Sequence, residues 1–243
     1  MPNFKDIAQS LDSLADNKQA VILQRFFKTG PGEYGAGDVF LGIKVPVQRL
    51  VAKKYQSVPL SAVARLLKSK IHEYRLVGLL ILIKKYEAAD SRELKQEIFY
   101  FYVDNFLAIN NWDLVDLSAP KIVGDYLFNY YQGKNKSSLK FLENLAASHN
   151  LWERRIAIIS TFYFIYRGQT RETFVIAAKL LSDQHDLIHK AVGWMLREAG
   201  KRVSEPELLK FLDANLKKMP RTALRYAIER LAESKRRAYL ART

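Results

Sequence analysis

The chain has 243 residues, of which 39 are Lys or Arg and 25 are Asp or Glu, giving a formal net charge of +14. About half of the residues are hydrophobic and none is cysteine. The composition is therefore that of a globular protein, and it excludes disulfide frameworks, thiolate metal sites and thiol nucleophiles. A charge of this size predicts an anionic partner, which can be nucleic acid, a lipid surface or an acidic protein.

The sequence has the features of a soluble protein. The first 14 residues contain Asp6 and Asp12 and lack the apolar core of a secretory signal. The longest strongly apolar run, Leu76 to Ile83, is too short to span a bilayer. We therefore expect a soluble, cytoplasmic protein with no membrane partner.

Hydrophobic residues return every three or four positions along much of the chain, which is the pattern of amphipathic helices. Clean alternation of apolar and polar residues is missing, and so are the Asn-Gly and Asp-Gly dipeptides of hairpin turns. The sequence therefore predicts an all-α fold. The clearest helical segments are Leu60–Leu67, Ile98–Leu107, Leu139–Ala146, Ile156–Tyr166 and Leu208–Leu216.

Short stops interrupt the helical pattern about every 15 to 20 residues, so a helix pair recurs about every 35 to 40 residues. This is the period of antiparallel helical repeats of the HEAT or armadillo kind. We expect residues 1–243 to form one superhelical α-solenoid domain, and a globular all-α bundle is the alternative. The stops are Asp90-Ser91, Gly133–Lys136, Ser148–Asn150, Gly168-Gln169, Ser182–Asp186, Gly200–Pro206 and Met219-Pro220.

One long irregular segment lies at Thr29 to Pro46. The glycines and the proline within Gly30 to Asp38 rule out a helix there, and Pro46 is well suited to open the next helix. Such a loop either caps a repeat or touches a ligand.

A first group of candidate functional residues lies within Asn110 to Pro120. Trp112 and Asp116 are four residues apart and project together from a helix, whereas Asp113 points about 100° away from Trp112. An aromatic ring beside a carboxylate is suited to holding a cationic group. The alternative is a core tryptophan next to a carboxylate that caps a helix or forms an ion pair.

A second group lies within Leu151 to Ile158. Only one of Arg154 and Arg155 can share the inner helix face with Ile156. A guanidinium group binds phosphate oxygens in pairs, so either arginine could anchor a nucleic-acid backbone, with a surface salt bridge as the alternative.

A third group lies within His189 to Glu198. Trp194 follows Gly193, where a neighbouring helix can approach closely, and Arg197 comes one turn later. A buried core tryptophan is the alternative interpretation.

Common catalytic and metal-binding templates are missing. His185 and His189 have the spacing of helical metal ligands, but no third ligand and no HExxH motif accompany them. Phosphate-loop and GxSxG motifs are also missing. We therefore expect neither a metal nor a cofactor.

Positive charge is concentrated towards the C-terminus. Residues 217–243, called here the C-terminal basic segment, hold nine Lys/Arg and two Glu, a net charge of +7. Residues 151–243 carry +9 in all, against +5 for residues 1–150. This asymmetry is typical of a surface that follows phosphates, and a solvated helix end is the alternative.

Four segments, taken in order, resemble motifs of the AlkD family of DNA alkylation-repair glycosylases, which are built of HEAT-like helical repeats. The resemblance covers most of the chain, from about residue 18 to residue 232. The segments are FLGIKVPVQR at Phe40–Arg49, WDLVD at Trp112–Asp116, LWERRIAI at Leu151–Ile158 and KAVGWMLRE at Lys190–Glu198.

The resemblance implies roles for single residues. Asp116 matches the catalytic carboxylate, and Trp112 and Trp194 match the aromatic pair that contacts the damaged nucleotide. Arg155 matches the arginine that binds the DNA backbone close to the lesion. Phe26 falls where a tyrosine can occur in the family, which leaves ring packing without a hydroxyl contact. Further DNA-binding candidates in these motifs are Arg154, Lys190 and Arg197.

The resemblance also implies a function. It predicts a monomeric, metal-free glycosylase that acts on the bacterial nucleoid and hydrolyses the N-glycosidic bond of cationic alkylpurines, such as 3-methyladenine and 7-methylguanine, in duplex DNA. A concave basic face rather than a snug base pocket would hold the DNA. Because the motifs contain no obvious Schiff-base lysine, we expect a monofunctional enzyme that leaves an abasic site. The alternatives are a non-catalytic helical-repeat protein that binds unusual or branched DNA and a scaffold for acidic proteins.

Overall fold

The computed structural model describes residues 2–131 and 137–242. Contacts divide the chain into two compact units, Met1–Leu114 (unit 1) and Val115–Thr243 (unit 2). Within the described ranges the secondary structure is helical, apart from one parallel β-bridge between Val39 and Ile71. The all-α prediction is therefore confirmed, and the single-domain assignment stays a prediction.

The helices of unit 1 are α1 (Phe4–Asp12), α2 (Asn17–Phe26), α3 (Val45–Lys54), α4 (Leu60–Leu67), α5 (His72–Ala88), α6 (Arg92–Asp104), a 3₁₀ turn (Phe106–Ala108) and the first residues of α7 (Trp112–Ala119). The remaining elements are a π-helical turn (Pro120–Gly124), α8 (Asp125–Asn129), α9 (Ser138–Ala146), α10 (Leu151–Tyr166), α11 (Arg171–Leu180), α12 (Asp186–Arg202), α13 (Glu205–Asn215), a second 3₁₀ turn (Leu216–Lys218), α14 (Arg221–Ile228) and α15 (Glu233–Ala241).

Several helix N-termini follow local capping chemistry. The side chains of Asp16, Ser91, Asn150 and Ser204 accept hydrogen bonds from backbone N–H groups in the first turns of α2, α6, α10 and α13. Pro46 lies in the first turn of α3, as its fixed φ and missing N–H predict.

The helical segments predicted from periodicity all overlap observed helices, although Ile98–Leu107 runs past the end of α6 into the first 3₁₀ turn. One predicted stop, Gly200–Pro206, is present but shorter than predicted. The stop separates α12 from α13, but α12 continues to Arg202 and α13 already begins at Glu205. The chain turns in two residues because Ser204 caps α13 and Pro206 is compatible with a first helical turn. The predicted stop at Gly133–Lys136 lies outside the described residues.

Helix α5 forms the centre of unit 1. Its residues from His72 to Ile83 are all buried, because the helix is apolar around most of its circumference. It packs against α1, α3, α4 and α6. The apolar run of Leu76 to Ile83 is therefore a core helix, and its first turn carries polar side chains into the interior of the unit.

The irregular segment between α2 and α3 is held to the first turn of α5. The buried carboxylate of Glu73 accepts hydrogen bonds from the backbone N–H groups of Leu41, Gly42 and Ile43 at 2.9, 2.8 and 3.2 Å. Gly42 has φ +86°, and a Cβ there would lie 2.1 Å from the carbonyl oxygen of Asp16. The second half of the loop is thus fixed against the first turn of α5.

In unit 2 the helices stack on partners two elements along the chain. Helix α10 packs on α8 and on α12, α12 packs on α14, and α9 packs on α11. Neighbours in sequence also pack, as in α9 with α10 and α12 with α13. Two layers of paired helices are the arrangement of a helical-repeat solenoid, so the predicted fold class is confirmed.

Two glycines allow the closest helix approaches of this stack. A Cβ on Gly124 would lie 2.4 Å from the Ser160 carbonyl oxygen, and a Cβ on Gly193 would lie 2.4 Å from the Ala223 carbonyl oxygen. The close approach predicted at Gly193 is confirmed. Trp194, the next residue, is held on a helix whose backbone packs directly on that of α14.

Replacing Gly193 by Ala should destabilise the protein by about 1 to 3 kcal/mol, because the added methyl group forces α12 and α14 apart. Urea unfolding followed by circular dichroism measures this change. Gly78→Ala in α5 is the matched control, since its new Cβ would meet only side chains, at 3.2 Å or more. Equal unfolding free energies for the two variants would contradict the predicted steric clash.

Candidate functional site

Trp112 begins helix α7 and lies at the edge of a cluster of rings in unit 1, formed with Phe27, Phe40 and the imidazole of His72. Its ring stacks on Phe27 at 5.1 Å between centroids and 13° between planes. Phe27 stacks on Phe40 at 5.0 Å, and Phe40 stacks on the imidazole of His72 at 4.5 Å. Phe26 packs edge-on against Trp112 at 5.8 Å and is 61% exposed. Trp112 is half-buried, so part of its surface remains available to a ligand.

Phe26 therefore packs by its ring alone, as expected from its position. Because Trp112 rests on Phe27 on one side and meets Phe26 at its edge, the orientation of its ring is set by packing.

His72, a member of this ring cluster, also belongs to a largely buried charge network. The Nδ1 atom of His72 lies 3.1 Å from Oδ2 of Asp38, and its Nε2 atom lies 2.8 Å from Oδ2 of Asp113. Arg75 donates to the same oxygen of Asp38 at 2.7 Å. Burial lowers the pKa of His72, but the charge and hydrogen bond of Asp113, with the hydrogen bond of Asp38, outweigh it and raise the pKa to about 9. Arg75 opposes that rise.

The raised pKa of His72 makes stability depend on pH. The folded chain retains a proton that the unfolded chain releases near pH 6.5, so the stabilisation is complete below about pH 6.5 and is lost as the pH rises through about 9. We expect the free energy of unfolding to fall by about 1 to 3 kcal/mol over that interval. Urea titrations at both pH values measure it. The free energy of unfolding of His72→Gln should lack this pH-dependent contribution. If the wild type loses no more stability than the variant between the two pH values, His72 is not the source of the pH dependence.

Asp116 lies in unit 2 and is bound by Arg155 of α10. The Nε and Nη2 atoms of Arg155 donate to the two carboxylate oxygens of Asp116, each at 2.8 Å. The Nη1 atom donates to the backbone carbonyl of Leu187 in the first turn of α12. The side chains of Asp116 and Arg155 are 17% and 6% exposed. Paired hydrogen bonds of this kind fix the plane of the carboxylate.

The helix that carries Asp116 changes its winding within one turn. Residues Pro120–Gly124 form a π-helical turn between α7 and α8. Pro120 has no N–H, so it cannot donate to the carbonyl of Asp116 four residues earlier, which is the bond that an α-helix would make. π-turns within α-helices are frequent at functional sites. Pro120 was the available sequence signal for this irregularity, and the periodicity alone did not reveal it.

Trp194 lies on α12 and is half-buried. Its ring is 6.3 Å from that of Phe162 on α10, with the planes tilted by 39°. The guanidinium of Arg202 lies over the ring of Phe162, 5.4 Å from its centroid. Trp194 therefore has a defined packing partner and a partly exposed surface.

The other candidate DNA-binding cations of unit 2 have carboxylate partners. Arg154 donates to Asp183 at 2.6 Å and also to the backbone carbonyls of the turn before α10. Lys190 pairs with Asp186 one turn earlier at 2.6 Å.

Arg197 binds two carboxylates, Glu198 at 3.2 Å and Glu229. It also lines a cavity of about 400 Å³ together with Arg230.

The C-terminal basic segment has buried apolar residues and exposed basic ones. All nine of its Lys and Arg residues are exposed, although some form ion pairs, such as Lys235 with Glu205 and Arg242 with Asp213. These surface pairs contribute little stability and exchange readily for other anions. The segment therefore offers a surface of high positive charge on α14 and α15.

The two histidines with metal-ligand spacing make backbone contacts. His185 accepts a hydrogen bond from the N–H of Leu187 and caps α12, and Nε2 of His189 lies close to the carbonyl oxygen of Asp183. Across residues 2–131 and 137–242, no group of three His, Asp or Glu side chains could hold a metal ion. A search of the same residues finds no helix with the length and apolar character needed to cross a bilayer.

Comparison with known proteins bears on the identity of the chain. A family model described as DNA alkylation repair enzyme matches residues 7–231. The chain belongs to the DNA alkylation repair enzyme family.

A solved structure has the same fold as this family member. It is titled "Predicted DNA alkylation repair enzyme from Enterococcus faecalis", is 17% identical in sequence, and superposes with a TM-score of 0.66. The match covers 90% of this chain and 97% of the other. No curated protein sequence matches. The family assignment confirms the resemblance on which the site residues were chosen.

Proposed function

We propose that the protein is a DNA glycosylase that hydrolyses the N-glycosidic bond of cationic alkylpurines in duplex DNA. The observation that carries the proposal is the pair formed by Trp112 and Asp116, four residues apart on α7 in a member of a DNA alkylation repair family. The ring offers a π face and the carboxylate offers negative charge, which together suit a cationic substrate.

The chemistry needs little assistance from an acid. A purine alkylated at N3 or N7 already carries positive charge, so it leaves readily when the bond to the sugar stretches. The deoxyribose then gains oxocarbenium character, which a fixed carboxylate stabilises electrostatically. In this proposal Asp116 provides that carboxylate and orients or deprotonates the attacking water. The products are the free base and an abasic site.

Arg155 supports this role through its geometry. It holds both oxygens of Asp116 in one plane, so the carboxylate does not have to reorganise as charge develops on the sugar. Its hydrogen bonds to Asp116 and to the Leu187 carbonyl use three of the five N–H groups of the guanidinium. The other two suit a backbone phosphate next to the lesion.

Trp112 and Trp194 would contact the damaged nucleotide. Each exposes part of its ring and is held by aromatic neighbours, and a cation over such a ring gains about 0.5 to 2 kcal/mol. Selectivity would then follow from the charge of the lesion, so cationic adducts should be excised and neutral ones poorly.

DNA binding would draw on the positive surface of unit 2. The C-terminal basic segment provides exposed cations, and Arg154, Lys190 and Arg197 can exchange carboxylate partners for phosphates.

The direct experiment is release of 7-methylguanine and 3-methyladenine from methylated duplex DNA, followed by chromatography of the free bases. We expect release above the spontaneous rate with no added metal, and abasic sites without strand cleavage. Neutral 1,N⁶-ethenoadenine is the control lesion and should be released much more slowly. Tight binding to branched DNA with no base release would instead support the non-catalytic alternative.

A further inference from the structure

The mechanism proposed for Asp116 makes no use of the buried network beneath Trp112. His72 is 2% exposed and joins Asp38 of the loop to Asp113 of α7, while its imidazole face stacks on Phe40. With Arg75, which also binds Asp38, four charged groups lie together here, and burying such groups is costly unless their partners are well placed. A core that needed only to be filled would hold an apolar side chain at this point.

We infer that His72 is a positioning residue that fixes the ring of Trp112, through Asp113 on one side and through Phe40 and Phe27 on the other. The consequence for base release rests on the proposed glycosylase function, but the positioning itself does not.

The first connection runs through the backbone of α7. Asp113 is the residue after Trp112 in the first turn of that helix. Its Oδ2 atom bonds to His72 and its Oδ1 atom is buried without a hydrogen-bond partner among the described residues. The side chain of Asp113 thus connects the start of α7 to the interior of unit 1 through its hydrogen bond with His72.

The second connection runs through the rings. The imidazole of His72 lies against both Phe40 and Phe27, at 4.5 and 5.0 Å between centroids, and Phe27 in turn stacks on Trp112 at 5.1 Å with 13° between the planes. A tilt of the imidazole would therefore displace Phe27 and Phe40 together, and with Phe27 the ring of Trp112, because rings in a packed core cannot move independently.

The charge of His72 holds both connections in place. The charged groups that face it are Asp38 from the loop, Asp113 from α7 and Arg75 from its own helix. After the imidazolium loses one proton, the neutral imidazole has a single N–H and can donate to only one of the two carboxylates. The other carboxylate then faces a ring nitrogen that has no hydrogen to donate. With a pKa of about 9, this loss occurs on the alkaline side of neutrality.

Fluorine NMR of the full-length protein labelled with 5-fluorotryptophan tests the positioning directly. The chain has three tryptophans, so three resonances are expected, and Trp112→Phe assigns the one of interest. We expect the Trp112 resonance to shift with a midpoint near pH 9. The resonances of Trp152 and Trp194, which lie in unit 2, serve as internal controls and should not follow that midpoint.

Two variants separate positioning from simple packing. His72→Gln should remove the alkaline transition of Trp112, and Asp113→Asn should move its midpoint to lower pH because the largest favourable charge is gone. If His72→Gln fails to fold, the wild-type titration and Asp113→Asn still decide the matter. A Trp112 resonance that is constant from about pH 7 to 10, or an unmoved midpoint in Asp113→Asn, would overturn the inference.

Base release provides the functional readout. After subtraction of spontaneous loss, the single-turnover release of 7-methylguanine should fall about tenfold from pH 7.5 to 9.5 in wild type. In His72→Gln it should already be low at pH 7.5 and change little. A wild type that releases no base refutes the proposed function, whereas the fluorine titration still decides whether His72 positions Trp112.

Discussion

Asp116→Asn is expected to reduce the single-turnover rate of 7-methylguanine release by about 10²- to 10³-fold. The amide has nearly the same size as the carboxylate and can still accept a hydrogen bond from Arg155, but it carries no negative charge to stabilise an oxocarbenium-like sugar. Because a saturating enzyme concentration removes differences in DNA affinity, the rate reports the chemical step. DNA binding measured separately should change much less than the rate.

Asp183→Asn is the matched control for this experiment. Asp183 is also a largely buried carboxylate that pairs with an arginine of α10, in its case Arg154. The same substitution there weakens an equivalent ion pair without touching Asp116, so base release should stay close to wild type once the folded fraction is verified by circular dichroism. If the two variants release base equally slowly, loss of an ion pair explains the defect and Asp116 is not the catalytic carboxylate.

DNA affinity is expected to fall by orders of magnitude as salt rises from about 50 to 200 mM, because each neutralised phosphate releases counterions. The logarithm of the affinity should decrease linearly with the logarithm of the salt concentration, with a slope of about 0.9 per phosphate contacted. Fluorescence anisotropy with an undamaged labelled duplex measures this slope. A flat response would contradict DNA binding and would favour a scaffold for acidic proteins.

Variants of the C-terminal basic segment test whether it makes the phosphate contacts. Replacing Arg236 and Arg237 by Gln should reduce the slope by up to about two. The control pair is Lys68→Gln with Lys70→Gln, which removes two exposed charges from unit 1. A larger change in slope for the control pair than for the C-terminal pair would place the main phosphate contacts elsewhere.

Periodicity predicted the fold well because each helix buries an apolar stripe whose spacing is visible in the sequence. Leu60–Leu67 was predicted with the bounds that α4 has in the structure. The stop at Gly200–Pro206 is shorter than predicted for a physical reason. Glycine and proline were treated as breaks, but Gly200 lies where α12 packs against Leu208, and Pro206 occupies a first turn that tolerates it.

The candidate site was predictable only where it is local. The four-residue spacing predicted that Trp112 and Asp116 project from the same side of one helix. The same helical geometry predicted that Asp113 points away from Trp112, but it did not predict which residue Asp113 contacts. The structure supplies that partner, His72, which lies 41 residues earlier. Asp38, Phe27 and Phe40 were missed for the same reason, because no local pattern links a loop carboxylate and two rings to a distant histidine.

The pairing of Asp116 with Arg155 has a consequence for changes in chain length. The two residues are 39 positions apart, close to one helix pair, so their contact depends on the register between neighbouring repeats. A residue inserted in the turn between α10 and α11 lies beyond both partners and leaves that register intact. A residue inserted in the first turn of α10, before Arg155, would rotate the guanidinium by about 100° and separate it from the carboxylate. Natural or engineered length variation should therefore be accepted in the turn after α10 and rejected within that helix's first turn.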